Sequence, residues 1–264
     1  MMGPAHSLSG AAAWLGVGAG AYALDRPMPW PVLVAGALIC SGAALAPDLD
    51  HRSATISRAF GPFSKWLCEV IEKLSCAVYK ATRKPGDPRR AGGHRTLTHT
   101  WLWAVLMGVG FSALAAFGGR WAVLGILFVH MVLAVEGLLW RAARVSSDIL
   151  VWLLGATSAW ILADILNEPG NGADWLFTGS GQEYLWLGLP IVLGSLVHNV
   201  GDAITVSGCP ILWPIPVGNK RWYPVSTPKP MRFRAGSWVE LRVLMPAFTI
   251  TGAMSGMWAL GLIG

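Results

Sequence analysis

Seven apolar stretches constrain this chain more than any other feature: they run roughly over residues 8–24, 30–46, 101–117, 121–140, 149–166, 184–200 and 243–263. Each is near the ~20 residues a helix needs to cross hydrocarbon. Hydrophobic residues make up 54% of the 264 and charged residues 13%, against about 25% charged in an ordinary soluble domain. A water-soluble globule of this size cannot hide that much apolar surface. Disorder, a collagen-like chain and a small secreted disulfide scaffold are excluded. Cys40, Cys68, Cys76 and Cys209 form no C-x-x-C pair, so reduced thiols are expected. The expected fold is all-α: a single polytopic membrane bundle over residues 1–264, with about seven spans. The first two stretches are short and rich in Gly and Ala, and Gly16 with Gly20 makes a small-xxx-small pair suited to close packing. The first stretch lacks a basic start and follows a histidine, so a cleavable signal peptide is not expected.

The charges between the stretches alternate. Residues 47–100 carry ten Lys/Arg, 141–148 carry Arg141 and Arg144, and 201–242 carry six. The intervening loops are poor in them: 25–29 and 118–120 hold one Arg each, and 167–183 hold none. Basic loops stay in the cytoplasm, which puts the N-terminus inside and the C-terminus outside. The net charge of +6 is therefore read as topology, and nucleic acid is not an expected partner.

Residues 60–80 form a separate element. Phe63, Trp66, Leu67, Val70, Ile71, Leu74 and Val78 follow helical spacing while Lys65, Glu69, Glu72, Lys73 and Lys80 take other faces. An amphipathic helix in the membrane interface is expected, with a helix packed on a cytoplasmic domain as the alternative. It lies in a basic cytoplasmic insertion, 52–93, whose last part, 83–93, reads as a loop from its Pro and Gly content. Trp14, Trp30, Trp101, Trp103, Trp121, Trp140, Trp186 and Trp238 fall near expected span ends, as in an aromatic belt.

Five of the six histidines fall at or beyond the cytoplasmic ends of the expected spans. His6 precedes the first, His51 follows the second, His94 and His99 precede the third, and His198 ends the sixth. Acids accompany them: Asp48 and Asp50 beside His51, and Asp202 four residues after His198, a spacing that shares one helix face. Imidazole and carboxylate are ligands of catalytic divalent metals. Thr96 or Thr98 is expected to cap the following helix, and Arg95 to grip an anionic oxygen. His130 sits mid-span and reads as a neutral, hydrogen-bonded packing residue. Eight candidate ligands (His6, Asp48, Asp50, His51, His94, His99, His198 and Asp202) exceed the four that a tetrahedral zinc accepts. Either some orient the others or the site holds two or more metals, as in phosphoester hydrolysis.

The succession of an N-terminal His, P-D-x-D-H at Pro47–His51, H-R-x-x-T-H at His94–His99 and H-x-x-x-D at His198–Asp202 resembles the YdjM-like family. That family is described as LexA-regulated, inner-membrane, metal-dependent hydrolases. The resemblance runs over nearly the whole chain, to Trp213–Pro214 after the last motif. The family is similar in turn to zinc-dependent phospholipase C and the single-strand nucleases related to it. The long 52–93 insertion and the extended 219–242 loop depart from shorter relatives. The resemblance implies a divalent-metal hydrolase of the inner membrane, with zinc expected first and manganese as the alternative. A phosphoester at the cytoplasmic face, close to membrane lipid, is the expected substrate. Arg95 would hold its anion, and an acid not bound to metal, Asp48 among them, would act as general base. A metal-binding or transporting protein without hydrolysis is the alternative reading.

Overall fold

The computed structural model describes residues 1–89, 93–143, 146–177 and 182–263. Arg90 to Gly92 of the basic insertion and Arg144 of the short basic loop lie outside them. The helices are α1 (Gly3–Ala23), α2 (Trp30–Ala43), α3 (Gly61–Thr82), α4 (Trp101–Leu138), α5 (Trp140–Ala143), α6 (Asp148–Asn167), α7 (Gly188–Ala203) and α8 (Met245–Ala259). Among the described residues there is no strand, only isolated bridges such as Cys209–Val225. The expected all-α class holds.

Local chemistry fixes the helix starts. Pro4 and Pro31 occupy first-turn positions of α1 and α2, where a missing N–H costs nothing. Ser147 caps α6 through Leu150 N, with Asp148 in the first turn. The cap of α4 is Thr100, which accepts from Trp103 N, and not Thr96 or Thr98. The Thr96 hydroxyl donates to the Gly93 carbonyl instead, and that of Thr98 to Asp50.

The stretches 101–117 and 121–140 lie in one 38-residue helical segment that is broken at Gly119, where φ is 61° and ψ −160°. Nineteen residues of straight helix would separate Phe111 from His130 by about 28 Å. Their ring centroids are 5.5 Å apart, so the chain doubles back into a helical hairpin. Glycine adopts the positive φ without a Cβ clash. The next residue, Arg120, pairs with Asp164 of α6 at 3.0 Å and lies over the Trp160 ring.

Among the described residues, three segments are long and apolar enough to cross a membrane: Trp30–Asp50, Trp101–Leu138 and Asp148–Asn167. The doubled-back hairpin is one of the three. α1, α7 and α8 are not among these: α7 and α8 hold 16 and 15 residues of α-helix, α8 continuing the π-helical turn Glu240–Leu244, and α1 is rich in Gly and Ser.

Close contacts set the registers. A Cβ on Gly42 would collide with the His130 backbone, and one on Gly36 with the Trp14 ring. α8 runs alongside α1 in the same direction, with Gly252 near Ala12 and Ala259 near Gly18. Gly10 and Gly18 make the tight contacts of α1, against Cys40 and Leu33, whereas Gly16 and Gly20 have nothing within 4 Å. The expected small-xxx-small pair is thus not where the close contacts of α1 fall. Two expected belt residues are also core: Trp14 and Trp186 are buried and stack on each other. Trp30, Trp121 and Trp238 are exposed.

The end of α2, the start and end of α4, the end of α7 and the start of α1 meet at one end of the bundle. His198 reaches Ala44, Trp101 N donates to Ile211 O, and Ser7 and Leu45 flank Gly137. The long basic loops emerge at that end. The insertion and the 201–242 loop pack on each other there, with Asp87 Oδ1 accepting from Arg221 N and Trp222 N at 2.8 Å each.

Candidate metal centre

Four side chains from three separate parts of the chain converge at this end: Asp48, His99, His198 and Asp202. Asp48 comes from the 3₁₀ turn Ala46–Asp50 that follows α2, where Pro47 ends the helix. His99 comes from the 3₁₀ turn Leu97–His99 just ahead of α4, and His198 and Asp202 from successive turns of α7. His99 Nε2 lies 3.3 Å from His198 Nε2, 3.5 Å from Asp48 Oδ1 and 3.6 Å from Asp202 Oδ2. His198 Nε2 lies 3.6 Å from Asp48 Oδ1 and 3.8 Å from Asp202 Oδ2. Zinc–ligand bonds of about 2.0–2.2 Å in tetrahedral array require ligand atoms about 3.3–3.6 Å apart. The cluster could hold a metal ion.

The far side of each ring tells the same story. His198 Nδ1 donates to the Ala44 carbonyl at 2.8 Å, which leaves Nε2 to face the cluster. Thr98 Oγ1 donates to Asp50 Oδ2 at 2.7 Å and stands 2.9 Å from His99 Nδ1. With its proton given to Asp50, the hydroxyl accepts from Nδ1, so His99 Nε2 is likewise directed inward. Such outer hydrogen bonds orient metal-ligating imidazoles. His99 is fully buried. Burial opposes its charge, but Asp50, with Asp48 and Asp202, overrides burial and lifts its pKa to about 9. The pocket favours a positive charge at this position, and a cation supplies one as a proton does.

A second group of potential ligands, Asp48, Asp50, His94 and His99, overlaps the first through Asp48 and His99. Here Asp50 is already engaged by Thr98, and its Oδ1 is 2.8 Å from His94 Nδ1. The other two expected ligands stand beside these groups. His6 stacks on His198 with centroids 3.8 Å apart, and its Nε2 is 3.4 Å from Asp202 Oδ1. It is fully buried, and its Nδ1 makes no hydrogen bond. His51 lies 4.5 Å from His94, ring to ring, and contacts Ser53; it belongs to neither group. His130 is bonded to Ile126 O at 2.7 Å, within α4.

Arg95 has a positive φ of 55°, which turns its side chain back to the cluster. Its Nε is 2.9 Å from Asp202 Oδ2 and its Nη1 donates to Thr205 Oγ1 at 3.2 Å. A pocket of about 430 Å³ opens over the cluster, lined among others by Asp48, His51, Arg58, His94 and Arg95. Asp48 and His94 are the members exposed to it, with side chains 23% and 37% accessible.

Several supporting residues carried no signal of their own. Thr205 and the Ala44 carbonyl are visible only once the helix ends are placed. Glu240, fully buried ahead of α8, accepts from Met2 N at 2.5 Å and Gly236 N at 2.7 Å and fixes the start of α1. Thr98 could have been found, since it lies inside the motif with His94 and His99.

No curated protein and no solved structure matches the chain. The family described as YdjM inner membrane protein matches residues 1–263. A match over that span, on a helical bundle with apolar membrane-length segments, means that the chain belongs to the YdjM inner membrane protein family.

Proposed function

We propose that the protein is a metal-dependent hydrolase of the inner membrane that cleaves a phosphoester at the cytoplasmic face. The observation that carries this reading is the pair of inward-facing Nε2 atoms, His99 and His198, flanked by two carboxylates, one of which, Asp48, lines a pocket together with an arginine. Asp48, His99, His198 and Asp202 would hold the cation, with zinc the first expectation and manganese the second. When bound by these four residues, such a cation would supply a water whose pKa is lowered toward ~7. Arg95, fixed by Asp202 and Thr205, presents its remaining N–H donors to an anionic substrate. Asp48 belongs to both ligand groups, so the general-base role expected of a free acid passes better to His94. That ring lines the pocket and is oriented by Asp50. The basic loops at the same end support a cytoplasmic placement of the site, with seven spans and the N-terminus inside.

The test is elemental analysis of the purified protein together with hydrolysis of a chromogenic phosphodiester. Bound metal near one or two equivalents, lost in His99→Ala and Asp202→Ala along with hydrolysis, is expected. Metal-free wild-type protein that still hydrolyses would overturn the reading. Metal retained without hydrolysis of any phosphoester would leave the non-catalytic metal-binding alternative.

A further inference from the structure

Helix α3 has three faces, and they divide its residues by chemistry. Successive residues turn about 100°. The face toward the protein carries Ser64, Cys68, Ser75 and Tyr79, all buried, with Tyr79 packed on Trp222. A second face carries Lys65, Glu69, Lys73 and Lys80 and is exposed. The third is apolar and also exposed: Phe63, Trp66, Val70 and Leu74 are 62%, 58%, 41% and 43% accessible. A helix that packed on a soluble domain would turn this third face inward. Here it turns outward, and α3 rests on the body through the buried Ser64, Cys68, Ser75 and Tyr79.

We infer that the Phe63–Trp66–Val70–Leu74 stripe of α3 is seated in the headgroup and upper acyl layer of an anionic bilayer, at the end of the bundle that carries the metal cluster. Three observations identify lipid as the occupant. The stripe continues the apolar perimeter of the bundle: just before α3, Phe60 packs on Phe128 of α4, and Trp152 of α6 donates from Nε1 to Ala59 O. On α6, Ile149 and Leu153 are exposed beside that junction. The polar face is interleaved with lysines, and residues 47–100 carry ten Lys/Arg against five Asp/Glu, which suits anionic headgroups. The charged face lies to one side of the stripe, as in a helix lying in the plane of the interface. Seating α3 there also sets the depth of the site. A Cβ on Gly93 would lie 2.5 Å from Glu72 O and 3.0 Å from Ser75 Cβ, so the loop bearing His94 and Arg95 rests directly on α3. This inference does not depend on the metal or on hydrolysis.

The experiment uses the full chain reconstituted in vesicles of phosphatidylglycerol and phosphatidylethanolamine. Nitroxide labels are attached at Val70→Cys, Leu74→Cys and, on the charged face, Glu69→Cys and Lys73→Cys, with the signal of the unaltered protein subtracted. All four positions are exposed, so folding is preserved and is checked by monodispersity. Labels at 70 and 74 are expected to relax several-fold more with oxygen than with a water-soluble nickel chelate, and those at 69 and 73 to show the reverse. Equal nickel access at all four positions would overturn the inference. So would shielding at 70 and 74 that is accompanied by dipolar broadening between labels, because a second copy of the chain would then cover the stripe.

Discussion

His99 and His198, ninety-nine residues apart, meet Nε2 to Nε2 at 3.3 Å while the opposite nitrogen of each ring is held by Thr98 and by Ala44. Two imidazole lone pairs so placed repel unless a proton or a cation lies between them. Both rings and Asp202 are almost completely buried, so water cannot relieve the arrangement. The relationship makes the outer hydrogen bonds as testable as the ligands.

Thr98→Val removes the hydroxyl that links Asp50 to His99 without changing side-chain size much. Metal affinity is expected to fall roughly 10–100-fold, read by competition with a chromophoric chelator. Unchanged affinity would mean that Thr98 does not set the His99 ring.

Arg95→Gln keeps the four ligands but withdraws the charge that faces the pocket. Hydrolysis of a phosphodiester is expected to fall about 10²–10³-fold, with metal content unchanged by elemental analysis. Arg95→Lys should recover part of the loss, because charge returns without the planar fork. Equal activity in all three proteins would remove Arg95 from substrate binding.

Metal removal should loosen the end of the bundle where α2, α4 and α7 meet. A ligand present at 100 times its Kd stabilises the native state by about 2.7 kcal/mol. Dialysis against a chelator is therefore expected to lower the Tm in detergent, and stoichiometric Zn²⁺ or Mn²⁺ to restore it. A Tm indifferent to both would argue that no cation is held there.

Two glycines of the bundle should respond in opposite ways to alanine. At Gly42 the new methyl meets the backbone of His130, which cannot rotate away, so a loss of ~1–3 kcal/mol is expected. At Gly16, with nothing within 4 Å, alanine should be neutral or stabilise by up to ~1 kcal/mol. Thermal unfolding of the two variants in the same detergent compares them; equal shifts would contradict the packing described.

Composition and periodicity alone determined the all-α membrane bundle, the amphipathic helix and the histidines and acids that merit attention. Those properties are local: an apolar run of a given length has few options in or beside lipid, and an i, i+4 pair such as His198 and Asp202 shares a face wherever the helix goes. Depth along each helix was also legible, which is why residues as remote as Asp48 and His198 could be expected at one level. Tertiary structure alone decided which candidates share a cation-sized space. It turned Asp50 toward Thr98 and His94, left His51 at the rim, stacked His6 on His198 and swung Arg95 onto Asp202. It likewise chose Thr100 over Thr96 and Thr98 as a cap, and Gly10 and Gly18 over Gly16 and Gly20 as contact points. Each of these depends on the rotation of one helix about its axis relative to another, which is set by close packing with Gly36, Gly42 and their partners. A rotation of this kind leaves no trace in the order of residues along a single segment.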